Sequence, residues 1–207
     1  MAYPPPYYTD DDPAYAPRIM AEHSFALLVV DGLDATHLPL IFQQGGGEKG
    51  GLEGHMSRQN PIAERLLSHA EPLSALAVFS GPHGYVSANL YDKPDASVPT
   101  WNYASVQVRG RLERMPDEDS VEHLQRLAET YEGLDGWSVD QASDYVAAIQ
   151  RGIITVRVEI ESVQAFRKMS GNKPPAIQKR IIDAAREAGE HAFADEMMRS
   201  LSRKESK

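Results

Sequence analysis

The sequence predicts a mainly β chain: an antiparallel barrel with helices inserted into it and appended after it. Three observations lead there. Short apolar or alternating runs recur roughly six or seven times, between Phe25 and Val163. Most of them are joined by glycine-, proline- or aspartate-rich connections too short for a crossover helix, which favours hairpins over a doubly wound parallel sheet. Helical periodicity is confined to a few stretches, chiefly one insertion after Pro116 and the region from Ala176 to Leu201.

Taken in order, residues 1–12 are rich in proline, tyrosine and aspartate and read as a surface arm. Asp12 followed by Pro13 starts a short helix through Ala21, with a capping carboxylate and then a proline at the first helical position. Phe25–Val30, FALLVV, suits a strand buried on both faces. Ala35–Phe42 is a second strand that Pro39 interrupts, so an edge position or a bulge is expected there. Gln43–Gly51 is a flexible loop with neither a GK[ST] ending nor the strand-to-helix setting of a dinucleotide fingerprint. Leu52–Ser57 is a third strand. Asn60 and Pro61 then cap and open a helix through about Ser68, with Ile62, Leu66 and Leu67 inward. Leu73–Phe79 and His83–Leu90 read as a hairpin turned by Gly81 and Pro82.

The strand from Val98 to Leu112 opens with Thr100, Trp101, Asn102 and Tyr103, then alternates: Ala104, Val106 and Val108 on one face, Ser105, Gln107 and Arg109 on the other. Four hydrogen-bonding side chains in a row exceed what a strand start needs, which makes them ligand-contact candidates. An aromatic strand start that packs a core is the equally weighted alternative. From Asp117 to Tyr131 a helical stripe of Val121, Leu124, Leu127, Ala128 and Tyr131 is predicted. A second short helix runs from Ser138 or Asp140 to about Gln150, and Ile153–Val163 is again a strand. Pro174 and Pro175 end the sheet region, and the last helical stretch is expected to break near Gly189.

Composition narrows the function classes. The 207-residue chain has no cysteine, so thiol catalysis, disulfides and cysteine-ligated metals are excluded. A formal net charge of −9 disfavours broad contact with phosphate backbones, even though Arg109, Arg111 and Arg114, and later Lys173, Lys179 and Arg180, gather locally. No helix-turn-helix pattern appears, so direct DNA binding is doubtful. The start MAYPPPYYTDDDP has no secretory pattern and no stretch approaches a membrane span, so a cytoplasmic location is expected.

Among the seven histidines, His37 and His55 stand out as mid-strand residues on two strands expected to be antiparallel neighbours. His23, His69, His123 and His191 read as structural residues on partly wet helix faces, and His83 as a turn residue. No HxH or HxxxH spacing accompanies them. Ser57, Arg58, Gln59 and Asn60 stand where a strand hands over to a helix, where backbone N–H groups and a guanidinium suit an anion. Simple capping by Asn60 accounts for the same residues equally well. No nucleophile or paired-carboxylate arrangement is apparent, so any chemistry is better assigned to a bound cofactor.

The segments ATHLP (35–39), GHMSRQNP (54–61), FSGPHGYVS (79–87), VPTWNY (98–103) and KMSGNKP (168–174) occur in this order. Together they resemble the PaiB-type proteins, known as FMN-binding negative transcriptional regulators, over nearly the whole chain. The resemblance implies an FMN-binding split β-barrel with inserted and C-terminal helices, dimeric, the flavin held between subunits. It implies a barrel domain over residues 1–172 and a helical appendage over 173–207. It further implies flavin contacts from Thr36, His37 and Leu38, from Gly54, His55, Met56, Ser57, Arg58 and Asn60, and from Thr100, Trp101 and Asn102. Leu90, where relatives carry an aromatic, and the short loop Asp92–Ser97 depart from the pattern. Two alternatives remain open: a flavin-dependent oxidoreductase, or a heme-dependent enzyme of the same fold with His37 or His55 as the iron ligand.

Overall fold

A computed structural model describes residues 5, 8, 9, 12–44, 47–69, 71–133 and 135–205. Most of the expected N-terminal arm, and Gly45 and Gly46 of the glycine loop, lie outside these residues. The strands are β1 (Phe25–Val30), β2 (Ala35–Pro39), β3 (Ile41–Gln43), β4 (Gly51–Ser57), β5 (Leu73–Val86), β6 (Thr100–Arg114) and β7 (Ile153–Lys168). The helices are α1 (Tyr15–Glu22), α2 (Pro61–Ser68), α3 (Ser120–Glu132), α4 (Ser143–Ile149), α5 (Pro175–Glu187) and α6 (His191–Glu205). The strands form one sheet in the order β2-β1-β5-β6-β7-β4-β3. The ladders β1–β2, β1–β5, β3–β4 and β4–β7 are all antiparallel.

That order explains Pro39. β2 and β3 are the two outermost strands, yet only Leu40 separates them in sequence. A chain can step from one edge of a sheet to the other in one residue only where the sheet has curled round on itself. Proline, with no N–H for a ladder, belongs at such a handover. Gly54 of β4 completes the closure. A Cβ there would lie 2.8 Å from Pro39 O and 2.9 Å from the side chains of Leu38 and Leu40, so only glycine admits that approach.

Two compact units divide the chain. The first comprises residues 1–22, 80–106 and 164–207. Its core includes Tyr15, Ile19, Met169, Ile181, Ile182 and Met197, all essentially without solvent exposure. Asp12 caps α1 by accepting from Ala14 N at 3.0 Å, and the Tyr15 hydroxyl donates to Phe166 O at 3.0 Å. α5 packs on α6, the predicted break falling at Gly189, where φ is +78°. The second unit comprises residues 23–79 and 107–163. Leu28, Leu40, Leu52, Leu112 and Ile154 are buried in it, each contributing about 1.5–3 kcal/mol of transfer free energy.

Several expectations are corrected. β5 is one unbroken strand through Gly81 and Pro82, not a hairpin. Its ladder to β1 ends at Val78, so Pro82 falls where no β1 acceptor awaits an N–H. β1 alternates in burial and leaves Phe25 exposed, so it is not covered on both faces. On α2 the buried residues are Ile62, Ala63 and Leu66, while Leu67 faces solvent. His83 lies in β5, not in a turn. Strand β2 pairs with β1, and β4 with β3 and β7, so His37 and His55 are not on paired strands. Among the described residues no helix is long and apolar enough to cross a membrane.

Candidate functional site

The start of α2 is built by local chemistry. Asn60 has extended φ/ψ (−69°, 132°) and its Oδ1 accepts from Ile62 N at 2.9 Å, with Pro61 pre-set at the first helical position. The Asn60 amide also donates to Thr36 Oγ1 at 3.2 Å, which joins two predicted site residues. Arg65 holds the helix from its far end by donating to Asp31 O at 2.6 Å and to Asp34 Oδ2 at 3.0 Å. The backbone donors at the turn are already engaged. Arg58 N donates to Gly152 O at 2.9 Å, Gln59 N to Ser57 Oγ at 3.2 Å and Asn60 N to Ser57 O at 3.0 Å. An anion here therefore depends on side chains and on the helix end's partial charge rather than on those three amides.

The side chains suit that task. Arg58 Nη2 lies 3.1 Å from Asp117 Oδ1, and Arg114 Nη2 lies 2.7 Å from Asp117 Oδ2. Two guanidiniums thus share one carboxylate beside the first turn of α2. The hydrogen bond from Arg114 is the main cause holding the Asp117 carboxyl below its ordinary value. Asp117 is exposed at 58% of its side chain, so an incoming anion can compete with it at little desolvation cost.

His55 sits next to that turn, on β4. Its Nδ1 lies 3.2 Å from Nε2 of His123, a residue of α3 with no solvent exposure. Burial lowers the pKa of both imidazoles. For His123, burial and then the neighbouring His55 push the value down to about 4. Both rings are neutral at pH 7, so one donates and the other accepts. Glu53, buried one residue pair earlier on β4, places Oε2 3.8 Å from His123 Nδ1. Its carboxylate favours the His123 proton on Nδ1, which leaves Nε2 to accept from His55 and makes His55 Nε2 an acceptor. Glu53 itself receives Arg126 and Arg157, each at 2.6 Å. These two arginines overcome the effect of burial and keep its pKa below the ordinary carboxylate value.

The Thr100–Asn102 group belongs to the other compact unit. Alternation on β6 sends its members to opposite faces. Trp101 is 53% exposed and stands against His83 (5.6 Å between ring centroids) and Tyr85 (6.1 Å) of β5. Asn102 is buried and donates to Ser170 Oγ at 2.9 Å, while its Oδ1 has no hydrogen-bond partner among the described residues. Thr100 Oγ1 accepts from Lys168 Nζ at 2.8 Å.

The predicted residues therefore fall into separate environments. Thr36 meets Asn60, and Leu38 meets Gly54. His37, exposed on the opposite face of β2, stacks on Phe25 and not on His55. Met56 is buried core, and the Ser57 hydroxyl is a turn acceptor. Sequence reasoning placed His123 on a wet face, and it is the partner of His55. It also passed over Glu53, Arg114, Asp117, Arg126 and Arg157. Only a charged residue inside the apolar alternation of LEGHM (52–56) and of ITVRV (154–158) hinted that a buried ion pair joins these strands.

Known proteins agree with this architecture. The chain is 28% identical over 187 residues to the protease synthase and sporulation protein PAI 2 of Bacillus subtilis, covering 87% of each protein. It is 32% identical over 176 residues to an uncharacterized protein of Aspergillus fumigatus, covering 68% of this chain and 67% of that one. Among solved structures it resembles the flavocytochrome Anf3 of Azotobacter vinelandii, with a TM-score of 0.56, 14% identity, and 78% of this chain and 69% of that one covered. It also resembles a FAD and heme binding protein of Mycobacterium smegmatis, with a TM-score of 0.54, 14% identity, and 78% and 73% covered. These likenesses make the fold a split β-barrel, as the sequence predicted. Residues 2–162 match the family described as "Putative FMN-binding domain", and the chain belongs to that family.

Proposed function

We propose that this chain binds FMN as a homodimer and acts, in the manner of the PaiB-type proteins, as a cytoplasmic negative regulator of gene expression. The observation that carries the cofactor assignment is the Arg58–Asp117–Arg114 group at the start of α2, where two half-exposed guanidiniums share one carboxylate and can turn to a phosphate. Arg58 holds the phosphate in this reading, with Thr36, Leu38, Gly54, His55 and Asn60 around it. FMN, when bound, supplies reversible one- and two-electron chemistry. Trp101 offers an exposed aromatic face of the kind that contacts a flavin ring. Its role is tested separately from that of Arg58. The net charge of −9 argues that regulation proceeds without this protein gripping DNA alone.

A visible spectrum of the purified protein, recorded with and without added FMN, tests the cofactor. Arg58→Ala is expected to weaken FMN about tenfold or more, since a charge-assisted hydrogen bond contributes about 1.5–3 kcal/mol. The fold should be unchanged, because its partner Asp117 lies in solvent. Unaltered affinity in a titration ends the assignment. A salt-sensitive gel shift with the protein alone would overturn the view that it does not grip DNA by itself.

One observation favours a second reading. His55, with Nδ1 toward His123, keeps Nε2 as an acceptor, which is the form in which histidine ligates heme iron. A Soret band on adding hemin, lost in His55→Ala, would select it. Oxidation of a reduced nicotinamide by the flavin-loaded protein would instead make it an oxidoreductase.

A further inference from the structure

We propose that the groove between α3 and α4 docks a basic amphipathic helix of a partner protein. Only Ser120 and His123 of the 13-residue α3 are buried. The predicted apolar stripe is therefore not core. Leu124, Ala128 and Tyr131 instead form one wall of a cavity of about 300 Å³, with Trp137 and Ile149 on the other side. Tyr131, Trp137 and Ile149 are 54%, 44% and 49% exposed. The apolar strip runs on past the cavity, through Val121 on α3 and Tyr145 on α4, both exposed. An open groove between two helices with an apolar floor matches the ridge of a third helix better than an enclosed small molecule.

Charge selects the occupant. Residues 117–149 hold nine Asp and Glu against a single Arg, a formal −8 out of the chain's −9. That arginine, Arg126, is occupied by Glu53 and Glu122. Glu132 lines the groove, and Glu129, Asp135, Asp140 and Asp144 are exposed on the same segment. An apolar floor with Glu132 at its edge, set in so acidic a segment, favours a helix with Lys and Arg on one face and aliphatic anchors on the other. It repels an anionic lipid surface. A second copy of this chain is a poor occupant: its basic helix α5 keeps Ile177, Ile181 and Ile182 in its own core.

The test is a titration of the full chain with a fluorescein-labelled Leu/Lys helical 14-mer, read by anisotropy. In a Trp101→Phe background, Trp137 emission gives a second signal from within the groove. The Leu/Lys peptide is expected to bind, more weakly as salt rises, whereas a Leu/Glu peptide of the same pattern does not. Ala128→Trp, which fills the groove, should weaken binding about tenfold or more. Glu132→Lys with Asp144→Lys, both on exposed side chains, should weaken it and flatten the salt dependence. Three results overturn the proposal: no binding of the Leu/Lys peptide, equal binding by wild type and both groove variants, or a wild-type dimer that Ala128→Trp splits into monomers.

Discussion

Each of the two compact units contains one carboxylate withdrawn from water and matched by arginine, and the two are satisfied differently. In the first, Glu196 receives Arg18 on both oxygens, at 2.9 and 2.7 Å, with Arg199 at 3.6 Å and Arg167 at 3.8 Å. In the second, Glu53 receives Arg126 and Arg157, and its third neighbour is His123. Arginine stays charged at any pH the fold meets, so the first cluster holds no imidazole that gains a charge in acid. A buried neutral histidine gains one. The comparison teaches that a histidine buried beside an arginine-bound carboxylate adds a group whose protonation opposes folding.

The largest expected effect comes from removing the Glu53 carboxylate. Glu53→Gln leaves Arg157 without its carboxylate and Arg126 with Glu122 alone, and Glu196→Gln leaves Arg18 with Glu22 alone. Glu53→Gln should cost about 3 kcal/mol or more in urea unfolding, because Arg157 then carries a partly buried charge without its carboxylate, and Glu196→Gln should cost less, about 1–3 kcal/mol, because Glu22 still meets Arg18. A loss below about 1 kcal/mol for either would mean that its arginines reach water freely. The two differ in acid. The folded pKa of His123 is about 4 against the ordinary 6.5, so protonation favours the unfolded chain. Its contribution to stability is complete above pH 6.5 and is lost as the pH falls towards 4, by up to about 3 kcal/mol. His123→Gln should flatten unfolding free energy over that window.

A smaller break falls on barrel closure. Gly54→Ala presses a methyl against Pro39 O and should cost about 1–3 kcal/mol, read as a lowered melting temperature. Smallest is Trp101→Ala. Half-exposed on β6, Trp101 should contribute no more than about 1 kcal/mol to folding. Any large loss of flavin affinity in that variant then reports contact and not unfolding.

Local rules placed most elements. Asp12 and Asn60 cap the helices that follow them, Gly189 separates α5 from α6, and alternation from Ala104 onward marks β6. They failed where a residue's meaning depends on a distant neighbour. Pro82 reads as a turn until the end of the β1 ladder is known. His123 reads as a wet helical histidine until α3 is laid against β4. The stripe from Val121 to Tyr131 reads as core until the neighbouring α4 leaves it half open. Of the candidate site, the Asn60 cap and the place of Arg58 between β4 and α2 were legible, because capping and strand-to-helix handover are local. Asp117 and Arg114 were not, because they join Arg58 from a segment more than fifty residues away.

The sequence by itself determined most of the helices and strands, the antiparallel class and the family, since hydrophobic period, capping and turn chemistry act over a few residues. Tertiary structure alone decided which strands meet, how one residue at Leu40 bridges the sheet's two edges, and which charges are buried together. Those outcomes depend on long-range pairings, and a pairing's energy is set by what the partner strand or helix brings to it.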